Sequence, residues 1–130
     1  MRVLADTNIL FSTLLFPNSK PAMALMHAAQ AHELVLCDQI LFELRDILLR
    51  KAPNLLPDME VFLAELAYEL VPTPQYPEKL MADPKDQIIL NAAILAEVDI
   101  IISGDKHFLN LELEQPKVMT AAAYYEWAQL

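Results

Sequence analysis

The chain has 130 residues, 55% of them apolar, so it can bury a full core, and wholesale disorder is excluded. Its 18 acids against 9 basic residues give a net charge of −9, which argues against non-specific binding to nucleic acid or an anionic membrane unless basic residues cluster or a cation intervenes. The single cysteine, Cys37, excludes an internal disulfide and any cysteine-based zinc or iron–sulfur site; one domain spanning residues 1–130, in a reducing cytoplasmic setting, is the expectation. Asp6 interrupts any signal-peptide core. The most apolar stretch, Ile88 to Ile102, contains Asn91, Glu97 and Asp99, so no membrane span is expected.

In chain order, Val3 to Ala5 reads as a short buried strand ending at Asp6, followed by a helical turn or two over Ile9 to Leu15. Pro17-Asn18-Ser19 breaks that segment. Ser19 then caps a helix from about Lys20 to His32, with Leu25, Met26 and Ala29 facing inward. Leu34 to Cys37 is a second strand, and Asp38 is expected to cap a helix running to about Arg50. A helix begins at Pro57, with Met59, Phe62, Leu63, Leu66 and Leu70 on its apolar side. Pro72, Pro74 and Pro77 form a stiff connector. Asp83-Pro84 opens a helix to about Glu97, Asp99 to Ile102 is a β-branched strand, and Ser103-Gly104 closes it. Lys117 to Met119 is a last strand, after which Thr120 caps a terminal helix carrying Tyr124 and Trp127. This alternation predicts a three-layer α/β/α sandwich with a mostly parallel central sheet of four to five strands.

In such sheets ligands bind beyond the carboxyl ends of the strands, so the acids found there matter most. Asp6 follows the first strand directly. Asp105 follows Ile100-Ile101-Ile102 after Ser103-Gly104, where the glycine is expected to supply a conformation that aims the carboxylate. Glu43 lies on a narrow polar helix face with Gln39, Asp46 and Arg50, spaced by four, three and four residues. Asp86 falls in the first turn of the Asp83-Pro84 helix; Asp83 suits the cap and Asp86 the site. Two charges about 4 Å apart repel by roughly 4 kcal/mol at an effective dielectric near 20, so four converging carboxylates need either protons or a divalent cation. Oxygen-only donors suit magnesium or manganese, and the chemistry such an ion serves best is phosphodiester hydrolysis.

These residues resemble the PIN domain family, in its compact VapC-like toxin form. Asp6-Thr7-Asn8-Ile9-Leu10 with Ser12 is similar to the family's first motif, and Phe42-Glu43-Leu44 to its second. Asp83-Pro84-Lys85-Asp86, followed by Ile89-Leu90 and Ala92-Ala93, is similar to the third. Ile101-Ile102-Ser103-Gly104-Asp105-Lys106 with Phe108-Leu109 is similar to the fourth. The resemblance implies a Mg2+- or Mn2+-dependent endoribonuclease, the toxin of a toxin–antitoxin pair. Asp6, Glu43, Asp86 and Asp105 would form the catalytic, metal-holding cluster, supported by Asn8 and the Ser103 hydroxyl. It implies RNA as substrate, a protein antitoxin as partner and a homodimer as the assembly. Many members carry a further acid shortly after the fourth motif, where this chain has His107-Phe108-Leu109.

Two other functions fit the residues less well. A catalytically degenerate PIN domain would act as a binding module, but all four acids are present. A phosphatase with Asp6 as aspartyl nucleophile would want an acid two residues on, where Asn8 stands. Each acid also has a structural role open to it: Asp6 as a helix cap, Glu43 as a solvated helix-face acid, Asp86 at a helix start, Asp105 in a turn. His27 and His32, five apart, are expected on different faces at the surface, and His107 as a plain exposed histidine. Cys37 is expected to pack as a small apolar group. Tyr124, Tyr125 and Trp127 suit core packing or a dimer contact. Arg45, Arg50, Lys51, Lys85 and Lys106 lie close in sequence to the acids and are the local relief available to an anionic substrate.

Overall fold

A computed structural model describes residues 1–73, 84–111 and 113–130. Five parallel strands form one sheet in the order β3-β2-β1-β4-β5. They are β1 (Arg2–Ala5), β2 (Glu33–Cys37), β3 (Glu69–Val71), β4 (Ile100–Ile102) and β5 (Lys117–Met119). Helices flank the sheet in the expected α/β/α arrangement: α1 (Thr7–Leu15), α2 (Lys20–Ala31), α3 (Asp38–Lys51), α4 (Leu56–Glu65), α5 (Pro84–Leu95), α6 (Lys106–Leu109) and α7 (Ala121–Trp127).

The central strands are buried without alternation, as a parallel sheet covered on both faces requires. Val3, Leu4 and Ala5 of β1, and Ile101 and Ile102 of β4, are fully inaccessible to solvent. β1 lies between β2 and β4, with Val3 opposite Leu34 on one side and Ala5 opposite Ile102 on the other. That register ends β1 and β4 at the same level, so the residues after Ala5 and Ile102 emerge side by side. Cys37, at the end of β2, is buried as a small apolar group, and burial pushes its thiol up to about 11.

Most helix starts follow the local signals. The Ser19 hydroxyl accepts from the Ala22 amide at the head of α2, and Thr120 Oγ1 accepts from the Ala123 amide at the head of α7. In α3 the capping position falls on Cys37, with no side-chain cap bond; Asp38 sits in the first turn, where its charge meets the positive end of the dipole.

Besides the Asp38 cap, five expectations are corrected. Met26 does not face inward: it is 39% exposed, and Ala24, Leu25 and Ala28 carry the buried face of α2. The apolar period of α4 does not extend to Leu70: the helix stops at Glu65, and Leu70 belongs to β3, a three-residue edge strand paired with β2. Leu66 stays buried while Leu70 is half-exposed, so the period runs on through the loop only by coincidence. Gly104 is not in the left-handed region, and a Cβ there would meet nothing within 4 Å, so its conformational freedom is not what aims Asp105. A short helix, α6, begins at Lys106 where the sequence suggests only a turn. Lastly, His27 and His32 are not on separate faces. His32 lies just past the end of α2, its backbone extended, and its ring meets that of His27 edge-on at 5.6 Å. The buried Tyr124 hydroxyl shares a 2.8 Å hydrogen bond with His27 Nδ1, which ties α2 to α7. Asp83, expected as the cap of α5, lies outside the described residues, as do Pro74 and Pro77 of the connector.

Candidate metal centre

Asp6 is the first residue beyond β1. Its backbone amide donates to the Ile102 carbonyl at 3.1 Å, extending the β1–β4 ladder by one residue. Ser103 extends β4 in the same way, its amide donating to the Met119 carbonyl at 2.9 Å. The Ser103 hydroxyl therefore faces Asp6 and donates to Asp6 Oδ2. Ser103 Oγ in turn accepts from the Asp105 amide at 3.0 Å. One buried hydroxyl thus links the acid after β1 to the acid after β4.

Asp6 is 4% exposed. Its Oδ1 also accepts from the Ile9 amide at 3.2 Å, so it caps α1 while lining the pocket. Burial pushes its carboxyl up to about 6; the nearby Asp105 charge adds to that, and the bonds from Ser103 and Ile9 oppose it. An acid so placed changes between its neutral and charged forms well above the ordinary carboxylate range.

Glu43 comes from α3 and points to the same pocket. Its Oε2 accepts from Thr7 Oγ1 at 2.7 Å and its Oε1 from Gln39 Nε2 at 3.1 Å. Thr7 is a site residue that the sequence reading passed over, although its hydroxyl directly follows Asp6. The polar face of α3 continues with Asp46, which accepts from Arg50 Nε at 3.2 Å; both residues line the pocket.

Asp86, in the first turn of α5, and Asp105, at the head of α6, have carboxylate oxygens within 4.8 Å of each other. His107 joins them: its Nδ1 lies 3.5 Å from Asp86 Oδ2 and 3.4 Å from Asp105 Oδ1. The histidine is exposed, as expected, but it is not a bystander. Its backbone amide donates to Asp105 Oδ1 at 2.8 Å, so the carboxylate that caps α6 also holds His107 in place. Asp86, Asp105 and His107 offer ligand atoms all within 4.8 Å of one another, and the three can hold a metal ion.

All four acids singled out from the sequence, Asp6, Glu43, Asp86 and Asp105, line one polar pocket, together with Asn8. Ser103 stands behind it, fully buried. Of the five basic residues near the acids in sequence, Arg50 and Lys85 reach the pocket. Arg45 instead pairs with Glu60 at 2.9 Å. The donor set is rich in carboxylate oxygen and gathered at one spot, which fits a divalent cation.

Parallel strands ending at a common level, with acids beyond them and acid-bearing helices converging on the same edge, define a class of α/β domain with an acidic pocket at the carboxyl edge of its sheet. The PIN domain family profile matches residues 2–107, and the chain belongs to that family. Among solved structures, a chain of VapBC2 from Rickettsia felis, crystallised with a DNA fragment from its promoter, superposes with a TM-score of 0.73 at 15% identity. The match covers 92% of this chain and 98% of that one, and shows a shared fold. A comparison with curated proteins gives no significant match.

Proposed function

We propose that residues 1–130 form one nuclease domain, a Mg2+- or Mn2+-dependent endoribonuclease that acts in the cytoplasm as the toxin of a toxin–antitoxin pair. The observation that carries this reading is the convergence of Asp6, Glu43, Asp86 and Asp105, from four separate segments, on one pocket. When bound, the cation would polarise a phosphoryl oxygen and make water a better nucleophile. Asp6 and Asp105 are assigned to hold it, with Asp86 and Glu43 completing the set.

The remaining residues orient and compensate. Ser103 keeps Asp6 and Asp105 at a set separation, and Thr7 with Gln39 fixes the Glu43 carboxylate. Asn8, exposed at the pocket wall, is placed to contact substrate. Arg50 and Lys85 bring positive charge to a rim that otherwise repels RNA. The role of toxin rests on the family and on the likeness to VapBC2. A protein antitoxin and a second copy of the chain are the partners this role implies.

The test is RNA cleavage by purified Asp6→Asn protein in the presence of manganese. Asparagine can keep the cap through its Oδ1 and donate from its Nδ2 to Ser103 Oγ, so the fold should survive. Cleavage should fall by at least about a hundredfold. An unchanged far-ultraviolet dichroism spectrum with wild-type cleavage would overturn the site assignment. In cells, expression of the wild-type chain should arrest growth and Asp6→Asn should relieve the arrest.

A further inference from the structure

We propose that His107 is itself a ligand of the ion, and that its ring nitrogen tilts the site toward borderline transition ions, cobalt and manganese, at the expense of magnesium. The inference rests on the metal-centre reading above and adds an ion preference to it. Two ligands each about 2.1 Å from one octahedral ion stand roughly 3.0 Å apart when adjacent and roughly 4.2 Å when opposed. The His107 Nδ1 separations from Asp86 Oδ2 and Asp105 Oδ1, 3.5 and 3.4 Å, lie just outside the adjacent spacing, so a small ring rotation would bring the nitrogen to it.

The position of the ring is built in. Asp105 receives the His107 backbone amide, so the residue cannot drift from the acid whose carboxylate it shares. The ring is 70% exposed, against 16% for Asp86 and 29% for Asp105, so it can rotate to adjust a bond length without repacking the core. Among the described residues its polar partners are these two carboxylates, and no other bond of the fold requires it.

Donor chemistry then decides the preference. Magnesium favours oxygen and gives up its waters reluctantly, whereas imidazole nitrogen suits ions later in the first transition row, with cobalt above manganese. A site of carboxylates alone would favour magnesium; one nitrogen shifts the balance.

The test is calorimetric titration of the full chain with Mg2+, Mn2+ and Co2+ at one pH, for wild type, His107→Ala and His107→Asp. The wild-type Co2+-over-Mg2+ preference should narrow by about tenfold in His107→Ala, with Mg2+ affinity changed by no more than about twofold. His107→Asp should strengthen Mg2+ binding without restoring the Co2+ preference. Pulsed electron paramagnetic resonance of the Mn2+-loaded wild type should show coupling to a 14N nucleus that both variants lack. An unchanged preference in His107→Ala, an equal loss for all three ions, or no nitrogen coupling in the wild type would each overturn the inference, leaving the ring as a charge partner of the acids. A wild type that shows nitrogen coupling but cuts no RNA would sustain this inference while sinking the nuclease. A wild type that binds none of the ions would sink both.

Discussion

At the amino end of the sheet, acids surround a resident cation; at the carboxyl end, acids surround a pocket. Arg2, which opens β1, donates from its guanidinium to Glu33 at 2.9 Å, to Glu69 at 2.8 Å and to the Ala96 carbonyl at 2.8 Å. Asp99, before β4, accepts from the Arg2 backbone amide at 2.9 Å. The fold pairs Glu33 and Glu69 with a built-in guanidinium and Asp99 with a backbone amide, and all three acids hold strand starts together. At the other end, Asp6 meets a hydroxyl and an amide, Glu43 a hydroxyl and a carboxamide, and Asp105 an amide and an imidazole. Those partners orient a carboxylate without supplying a permanent positive charge. Glu33 and Glu69 therefore do structural work beside a built-in arginine, whereas Asp6, Glu43 and Asp105 are oriented without one.

The sharpest way to break this contrast is pH. Asp6 has a folded pKa of about 6, raised by burial above the ordinary 3.8. A carboxyl shifted upward stabilises the fold fully below the unfolded value, and that contribution is lost as pH rises through the folded one. In chelator, chemical-denaturation stability of the wild type relative to Asp6→Asn should therefore fall between about pH 4 and pH 7, by about 3 kcal/mol. Saturating manganese should restore most of the loss, because binding the ion favours the charged form. A flat difference curve would mean that the buried carboxylate is already compensated.

Arg2→Ala probes the opposite end. Glu33 and Glu69 are largely exposed, so each ion pair contributes little, and the loss should total about 1–2 kcal/mol including the bond to the Ala96 carbonyl. Cation affinity should stay unchanged. A comparable loss of metal binding would show that the two ends are coupled through β1. The smallest effect is expected from Thr7→Val, which removes one hydroxyl from Glu43 and leaves Gln39 in place. Stability should change by about 1 kcal/mol or less, and the rate of RNA cleavage should drop by about three- to tenfold. Cleavage at the wild-type rate would take Glu43 orientation out of the mechanism.

Much of this contrast could be read in advance, and the parts that could not share a cause. Val3-Leu4-Ala5 and Ile100-Ile101-Ile102 announce themselves as buried strands because a parallel sheet covered on both faces leaves them no polar position. Ser19 and Thr120 announce helix starts because capping is a bond between near neighbours. β3 hides because its three residues sit at an edge, with Glu69 and Leu70 open to solvent and no apolar run to mark them. The His27–His32 contact hides because helical spacing assumes that both residues are in the helix, and His32 has already left it. His107 reads as an ordinary surface histidine until Asp86, 21 positions earlier, is brought beside it.

The amino-acid sequence alone determined the alternation of strands and helices and the placing of acids just beyond strands and within helix starts, since both depend on periodicity and on bonds between near neighbours. Only the tertiary structure decided that Ser103 joins Asp6 to Asp105, that Thr7 holds Glu43, and that His107 bridges Asp86 and Asp105. Those distances depend on how far each helix is set from the sheet, which is fixed by packing between residues remote in the chain.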